Sequence, residues 1–280
     1  MTPLYRVTQR LASRILGGYG ILFLLFLYAP IALIVVFSFN ANVVNMMSWS
    51  GFTLDWYRSL FGFETQLAAS SNYVDTTDQL LAAIKNSVIV ALITSLISTV
   101  IGTITALALQ RHDFRGKRLY QMLIFMPMIM PDIVLGIALL IFFVGAGFQL
   151  GLTTIVIGHC VFLSSYVFII VSARLAGMDQ VIEEASADLG ADPWVTFRRV
   201  TLPLIMPGVL GGALLAFIIS LDDLVITYFI AGVESTTLPL FIFGMLRRGI
   251  KPQINAIAVM LLLVSFCIAA AGLYLKSRRS

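Results

Sequence analysis

The sequence predicts an all-α integral membrane protein with six transmembrane helices, and three observations predict it. Of its 280 residues, 59% are hydrophobic and 11% charged, with a mean hydropathy of +0.97. No soluble domain of this size carries that balance. Apolar runs of about 20 residues, the length that crosses a hydrocarbon core, recur along the whole chain. Basic residues gather in alternate connections between those runs.

The first run, near Tyr19–Phe39, follows Arg6, Arg10 and Arg14. A basic stretch before an apolar one resembles a signal sequence. The run is longer than a typical signal core and no clear A-x-A site follows it, so an uncleaved first span is expected. The long connection after it, about Asn40–Lys85, carries Trp49, Trp56 and Tyr57 and then a polar run around Ser70–Asp78. Aromatics just past a span mark the headgroup interface, and contact with an outer partner is the other reading. A short amphipathic helix near Leu54–Leu60 suits either. The second run lies near Asn86–Gln110, the third near Leu119–Gly147, the fourth near Leu152–Ser172, the fifth near Leu204–Ile230 and the sixth near Gln253–Leu275. The third contains Pro127 and Pro131 and the fifth begins with Pro203 and Pro207, in a shared P-x-I-M-P pattern. Each proline removes a backbone donor and bends or breaks a helix, so bends are expected at both places. Six such spans leave little chain for a separate domain, and residues 1–280 are expected to form one transmembrane domain.

Charge orients the spans. Arg6, Arg10 and Arg14, then Arg111, Arg115, Lys117 and Arg118, then Arg174, Arg198 and Arg199, and finally Lys276, Arg278 and Arg279 fall on one side. The positive-inside bias puts that side, and both termini, in the cytoplasm. Arg247, Arg248 and Lys251 in the last outer connection are the exception, and read as resting on lipid headgroups. The net charge of +4 is thus spread as a membrane protein spreads it, and no nucleic-acid partner is expected.

Several chemistries are missing. Cys160 and Cys267 both fall in expected spans, so no disulfide framework is read. His112 and His159 are the only histidines. They lack further ligands for a metal and are read as structural. No G-x-x-x-x-G-K-[ST] phosphate loop occurs, and no nucleophile, base and orienting acid stand at recognisable spacing. The chain is expected to be no enzyme and to hold no cofactor of its own.

A polar island separates the fourth and fifth runs. About Ala173–Pro203 reads as helix, turn, helix: Asp179 caps a helix carrying Val181, Ile182, Ala185 and Leu189, and Gly190 ends it. Asp192-Pro193 then restarts the chain, a capping acid followed by proline at the first helical position. Trp194, Phe197 and Val200 give the second helix an apolar stripe. A short helix with one apolar face and exposed Glu183, Glu184 and Asp188 fits a groove on a soluble partner.

These residues carry a resemblance. The pattern E-A-A-x-x-x-G, nine residues, then I-x-L-P marks the permeases of ATP-binding-cassette importers. The chain matches it at Glu184, Ala185, Gly190, Leu202 and Pro203, and departs at Ser186 and Val200. Tyr28-Ala29-Pro30, Ser38-Phe39-Asn40, Gly51-Phe52-Thr53, Trp56-Tyr57, Phe114-Arg115-Gly116, Pro131-Asp132-Ile133-Val134, Ser220-Leu221-Asp222-Asp223 and Asn255-Ala256 extend it over nearly the whole chain, to spermidine/putrescine importer permeases of the C-subunit type. The resemblance implies a type I importer-permease bundle in a bacterial inner membrane. It implies that the island is a coupling helix docking on an ATPase subunit. It also implies partners: a second related permease, two copies of the ATPase that bind ATP and Mg, and an outer solute-binding protein. Other cargoes for the same machine (an amino acid, an opine-like amine, a metal complex) and a stand-alone channel or secondary transporter are the alternatives.

Acids within spans fit that cargo. An ionisable side chain at the membrane centre costs roughly 2.5–3.5 kcal/mol on insertion scales, which points to a task. Asp132 in the third run and Asp222 and Asp223 in the fifth come out roughly 20–27 Å from the inner surface at 1.5 Å per residue, so they can face one pathway. Ser220 adds a hydroxyl, and Trp56 offers a ring face to a cation at the outer mouth. The competing reading makes Asp222-Asp223 the end of the span or the cap of a broken helix, with Asp132 satisfying the break after Pro131. Adjacent residues do not share a helix face, so at most one of the pair points into a pathway.

Overall fold

The computed structural model describes residues 3–42, 48–61, 63, 65, 77–247, 255–260, 262–263 and 266, with side chains from residue 14 onward. Among these, β pairing is limited to a single bridge between Asn40 and Phe52. Everything else regular is helical, as expected where no water is present to satisfy backbone groups. The expected sixth span, Gln253–Leu275, falls largely outside the described residues. So do Arg248, Lys251, Cys267, Lys276, Arg278, Arg279, residues 70–76 of the polar run, and the side chains of Arg6 and Arg10.

The chain forms two compact units, residues 1–77 with 244–280, and residues 78–243. In the first, α1 spans Pro3–Phe37, and its stretch Arg14–Phe37 is long and apolar enough to cross a membrane. The chain then turns, and the expected short helix is α2, Asp55–Leu60. The indole N–H of Trp56 donates to the Asn40 carbonyl at 2.8 Å. The Tyr57 hydroxyl meets Ser38 Oγ at 2.6 Å, and the Phe39 ring stacks on Phe52 at 5.3 Å. The scattered pieces Ser38-Phe39-Asn40, Gly51-Phe52-Thr53 and Trp56-Tyr57 are therefore one folded knot.

The second unit opens with α3, Thr77–Arg111. The third run is two helices, α4 (Lys117–Ile129) and α5 (Asp132–Gly145), bent by 109°. Met130, the residue before Pro131, is extended at φ −69°, ψ 138°, the conformation proline imposes on its predecessor. Pro127 lies inside α4 without breaking it. Then come α6 (Leu152–Ala176), α7 (Val181–Asp188) and α8 (Pro193–Thr196). A π turn at Phe197–Thr201 leads into α9 (Leu202–Asp222). After it, α10 is Val225–Ile230 and α11 is Leu238–Arg247.

Two expectations about the fifth run need correcting. From Pro193 to Asp222 the chain is one apolar helical span of 30 residues, so Pro203 does not interrupt it. The carbonyl that the Pro203 ring would strike belongs to Arg199, inside the π turn, whose wider winding moves that carbonyl aside. At its other end the run stops at Asp222 rather than Ile230. Asp223 leaves the helix at ψ 123°, and α10 is a separate element. The described residues thus contain four membrane-length helices, or five spans when the bent α4–α5 pair counts as one.

The core of this unit is the seam between α6 and α9. Gly208, Gly212, Ala216 and Ser220 are the buried positions of α9 beyond Ile205, spaced every fourth residue along one face. Small residues at that spacing let two helices approach closely in lipid, where packing rather than water expulsion drives association. A Cβ on Gly212 would stand 3.1 Å from Val167 Cγ1. Val167, Val171, Leu163 and Ile155 of α6 are fully buried, as are Ile226 and Ile230 of α10. Ser220, the last residue of the stripe, delivers the seam to the polar site.

Candidate functional site

Where α9 stops and α5 starts, a cleft of about 320 Å³ opens. Asp132, Asp222 and Asp223 all line it, with Phe162 and Tyr166 of α6 and an apolar wall of Ile218, Ile219, Leu224 and Val225. The helix breaks, not the helices, bring the acids together. Asp132 is the first residue of α5, and it is exposed. Asp222 is likewise exposed.

Asp223 is different. Its side chain is 9% exposed, and its Oδ2 accepts from the Thr227 backbone N–H and from the Thr227 hydroxyl, both at 2.8 Å. That oxygen therefore caps α10. His159, fully buried on α6, places Nε2 at 3.2 Å from the same oxygen and at 3.0 Å from Thr227 Oγ1. Its Nδ1 lies 2.8 Å from Ser220 Oγ. One tautomer satisfies the group: the Ser220 hydroxyl donates to Nδ1, and Nε2–H points at the Thr227–Asp223 pair. Of the two readings for the acid pair, Asp222 faces the cleft and Asp223 caps the break. Ser220, expected to offer its hydroxyl to a cargo, is 5% exposed and spends that hydroxyl on His159.

Trp56 also needs correcting. It is 2% exposed and its N–H is bonded to the backbone, so it presents no open ring face to a cation. The aromatic lining of the cleft is Phe162 and Tyr166, which sequence reasoning missed. His159, Phe162 and Tyr166 recur along one face of α6, with ring centroids 5.7 and 6.4 Å apart. Three aromatic rings at helical spacing in a span read as core, and only their neighbours show otherwise. A signal for His159 was present: a buried imidazole needs partners, and Ser220 and Asp223 are polar residues in the neighbouring span.

The polar island folds as expected in outline. Asp179 Oδ1 accepts from Val181 N–H at 3.0 Å, opening α7. Gly190 closes it at φ +83°, a left-handed conformation that glycine alone adopts without strain. Asp192 Oδ1 accepts from the N–H groups of Trp194 and Val195 at 2.8 and 3.0 Å, with Pro193 at the first helical position. Glu184, Ala185 and Asp188 are exposed, beside exposed Val181, Ile182, Leu189 and Trp194. Leu202 is half-buried and Pro203 exposed. Glu183 departs from expectation. It turns inward to Arg111 at the end of α3, 3.0 Å from the guanidinium, and accepts from the Thr201 hydroxyl at 2.6 Å. Arg111, Glu183, Thr201 and Phe197 share a second cleft of about 490 Å³. In the connection after α3, a hydrogen bond from Lys117 at 2.7 Å holds the exposed Asp113 carboxyl below the usual carboxylate range.

The family described as binding-protein-dependent transport system inner membrane component matches residues 98–280, which include both sites. The chain belongs to that family. It is a multi-pass inner membrane protein and a transport subunit. Among its relatives is the putrescine transport system permease protein PotI of Escherichia coli (strain K12), 35% identical, with 99% of this chain and 93% of that one covered. Another is the spermidine/putrescine transport system permease protein PotC of the same strain, 36% identical over 91% of each. A solved bacterial ABC transporter involved in the import of the acidic polysaccharide alginate shares the fold of this permease. Its TM-score is 0.71 at 16% identity, covering 99% of both chains. The MetNI methionine ABC transporter gives 0.60 at 18% identity, over 71% of this chain and 96% of that one.

Proposed function

We propose that this permease passes polyamines, putrescine or spermidine, through the cleft at the α9 break, with Asp132 and Asp222 pairing with successive ammonium groups. The observation that carries the reading is two exposed carboxylates lining one cleft, whose remaining lining besides the bonded Asp223 is apolar and aromatic. A polyamine has that composition, cationic groups separated by methylene chains. The relatives named for putrescine and spermidine support it. The same fold serves an acidic polysaccharide elsewhere, so the lining rather than the fold selects the cargo.

In this reading both termini are cytoplasmic and the complex holds a second related permease. Two copies of an ATPase bind ATP and Mg, and an outer solute-binding protein delivers the cargo. The exposed face of α7 docks on the ATPase, with Glu184, Ala185 and Asp188 at the contact and Gly190, Leu202 and Pro203 shaping the loop behind it. Because α8, the π turn and α9 are one helical span ending at Asp222, a push on the loop travels as a rigid displacement of about 45 Å of helix to the cleft. Closure of the ATPase dimer thereby rocks the break and alternates access. Weak, shared contacts are required for release, and two exposed carboxylates supply them.

Uptake kinetics of the reconstituted complex test the site. Removing one charge-assisted contact costs about 1.5–3 kcal/mol, so Asp222→Asn and Asp132→Asn are each expected to raise KM for putrescine about tenfold or more. ATPase activity without cargo should be unchanged. An unaltered KM in both variants would rule out this cleft as the route.

A further inference from the structure

The buried imidazole does more than fill a seam. Three donors converge on one oxygen of Asp223: the Thr227 N–H, the Thr227 hydroxyl and the His159 Nε2–H. Two of these come from one residue within α10, and His159 is the donor from another helix. It is held by Ser220 on its far side, so the carboxylate is pinned across the seam. The adjacent carboxylate, Asp222, is open to the same cleft. Two neighbouring acids of identical chemistry thus stand in different surroundings.

We infer that His159 sets the number of carboxylates that read the cargo, and through it the permease's preference between diamine and triamine. With His159 in place, Asp223 is committed to the α9–α10 break and the cleft offers Asp132 and Asp222, two anions for two ammonium groups. Without the imidazole, Asp223 loses its cross-helix partner and regains rotamer freedom toward the cleft it already borders. A third ammonium then gains a counter-charge, whereas a diamine, already paired at both ends, gains little. His159 is a positioning residue, acting on cargo through Asp223. The inference rests on the polyamine reading above.

The test is competitive ATP-dependent uptake of labelled putrescine and spermidine by the reconstituted full complex, read as the ratio of their kcat/KM values. His159→Ala is expected to shift the ratio toward spermidine about fivefold, less than the effect of a full charge-assisted contact because the released acid is shared with solvent. The double variant His159→Ala/Asp223→Asn is expected to return the ratio to the wild-type value, since the released anion is gone. A histidine that only fills space would slow both cargoes together and leave the ratio alone. Where His159→Ala does not assemble, His159→Phe keeps a ring in the seam, removes the donor to the same oxygen and is expected to shift the ratio the same way. An unchanged ratio in the variant that assembles, or a shift that persists when Asp223 is also replaced, overturns the inference while the polyamine reading stands. Wild-type complex that moves neither polyamine overturns both.

Discussion

At the scale of single residues, the division of labour among carboxylates follows from what each can bond. Asp132 and Asp222 are exposed and line the cleft, with no hydrogen-bond donor to either among the described residues. Asp223 finds three donors and becomes part of the scaffold. Glu183 and Glu184 divide in the same way, one turned in to Arg111 and Thr201, the other left on the surface. Sequence could show that these positions were acidic and adjacent, and that adjacent residues of a helix diverge. Which member turned inward depended on Arg111, 72 residues away, and on His159, which lies on a different helix. The Arg111–Glu183 pair is mostly enclosed, with side chains 14% and 21% exposed, between the regimes of surface and buried pairs. A thermal-unfolding cycle of Arg111→Gln, Glu183→Gln and the double variant is expected to give a coupling energy of about 1–2 kcal/mol. Additive single effects would show that the contact contributes nothing.

At the scale of elements, the seam between α6 and α9 positions the site. Its stripe of small residues brings α9 close enough for Ser220 to reach His159. Gly212→Leu would drive side-chain atoms into Val167, 3.1 Å from the first added carbon. Overpacking of this kind costs about 1–3 kcal/mol and would displace the far end of the stripe. The expected result is a lower unfolding temperature together with reduced uptake. Normal stability and uptake would show that the helices separate freely. The helix positions were largely legible from apolar runs, and the short helix α2 from its amphipathic pattern. The breaks were less so. Two segments of the same P-x-I-M-P pattern behave differently. The first segment ends α4 just before Pro131, with a 109° turn, whereas Pro207, in the matching place, stays inside α9. Proline chemistry is the same in both. Periodicity does not encode which proline ends its helix.

At the scale of the whole molecule, one helical span, Pro193–Asp222, runs from the connection after α7 to the cleft, and charged residues lie at both ends. The helix, turn and helix of the polar island were legible because their signals, Asp179, Gly190 and Asp192-Pro193, are local in the sequence. The cleft was legible only as three acids at similar depth, since its aromatic wall and its pinned member are products of tertiary packing. In the function proposed above, this chain, within its complex, converts ATP hydrolysis by a partner into polyamine movement. The most direct measurement is ATP-dependent uptake of labelled putrescine and spermidine into proteoliposomes holding the full complex, with Glu184→Ala beside the wild type. Saturable uptake of at least one polyamine is expected, with loss of that uptake in Glu184→Ala while the variant permease still folds. Binding-protein-stimulated ATPase activity with no movement of either polyamine, or full uptake in the loop variant, would contradict it.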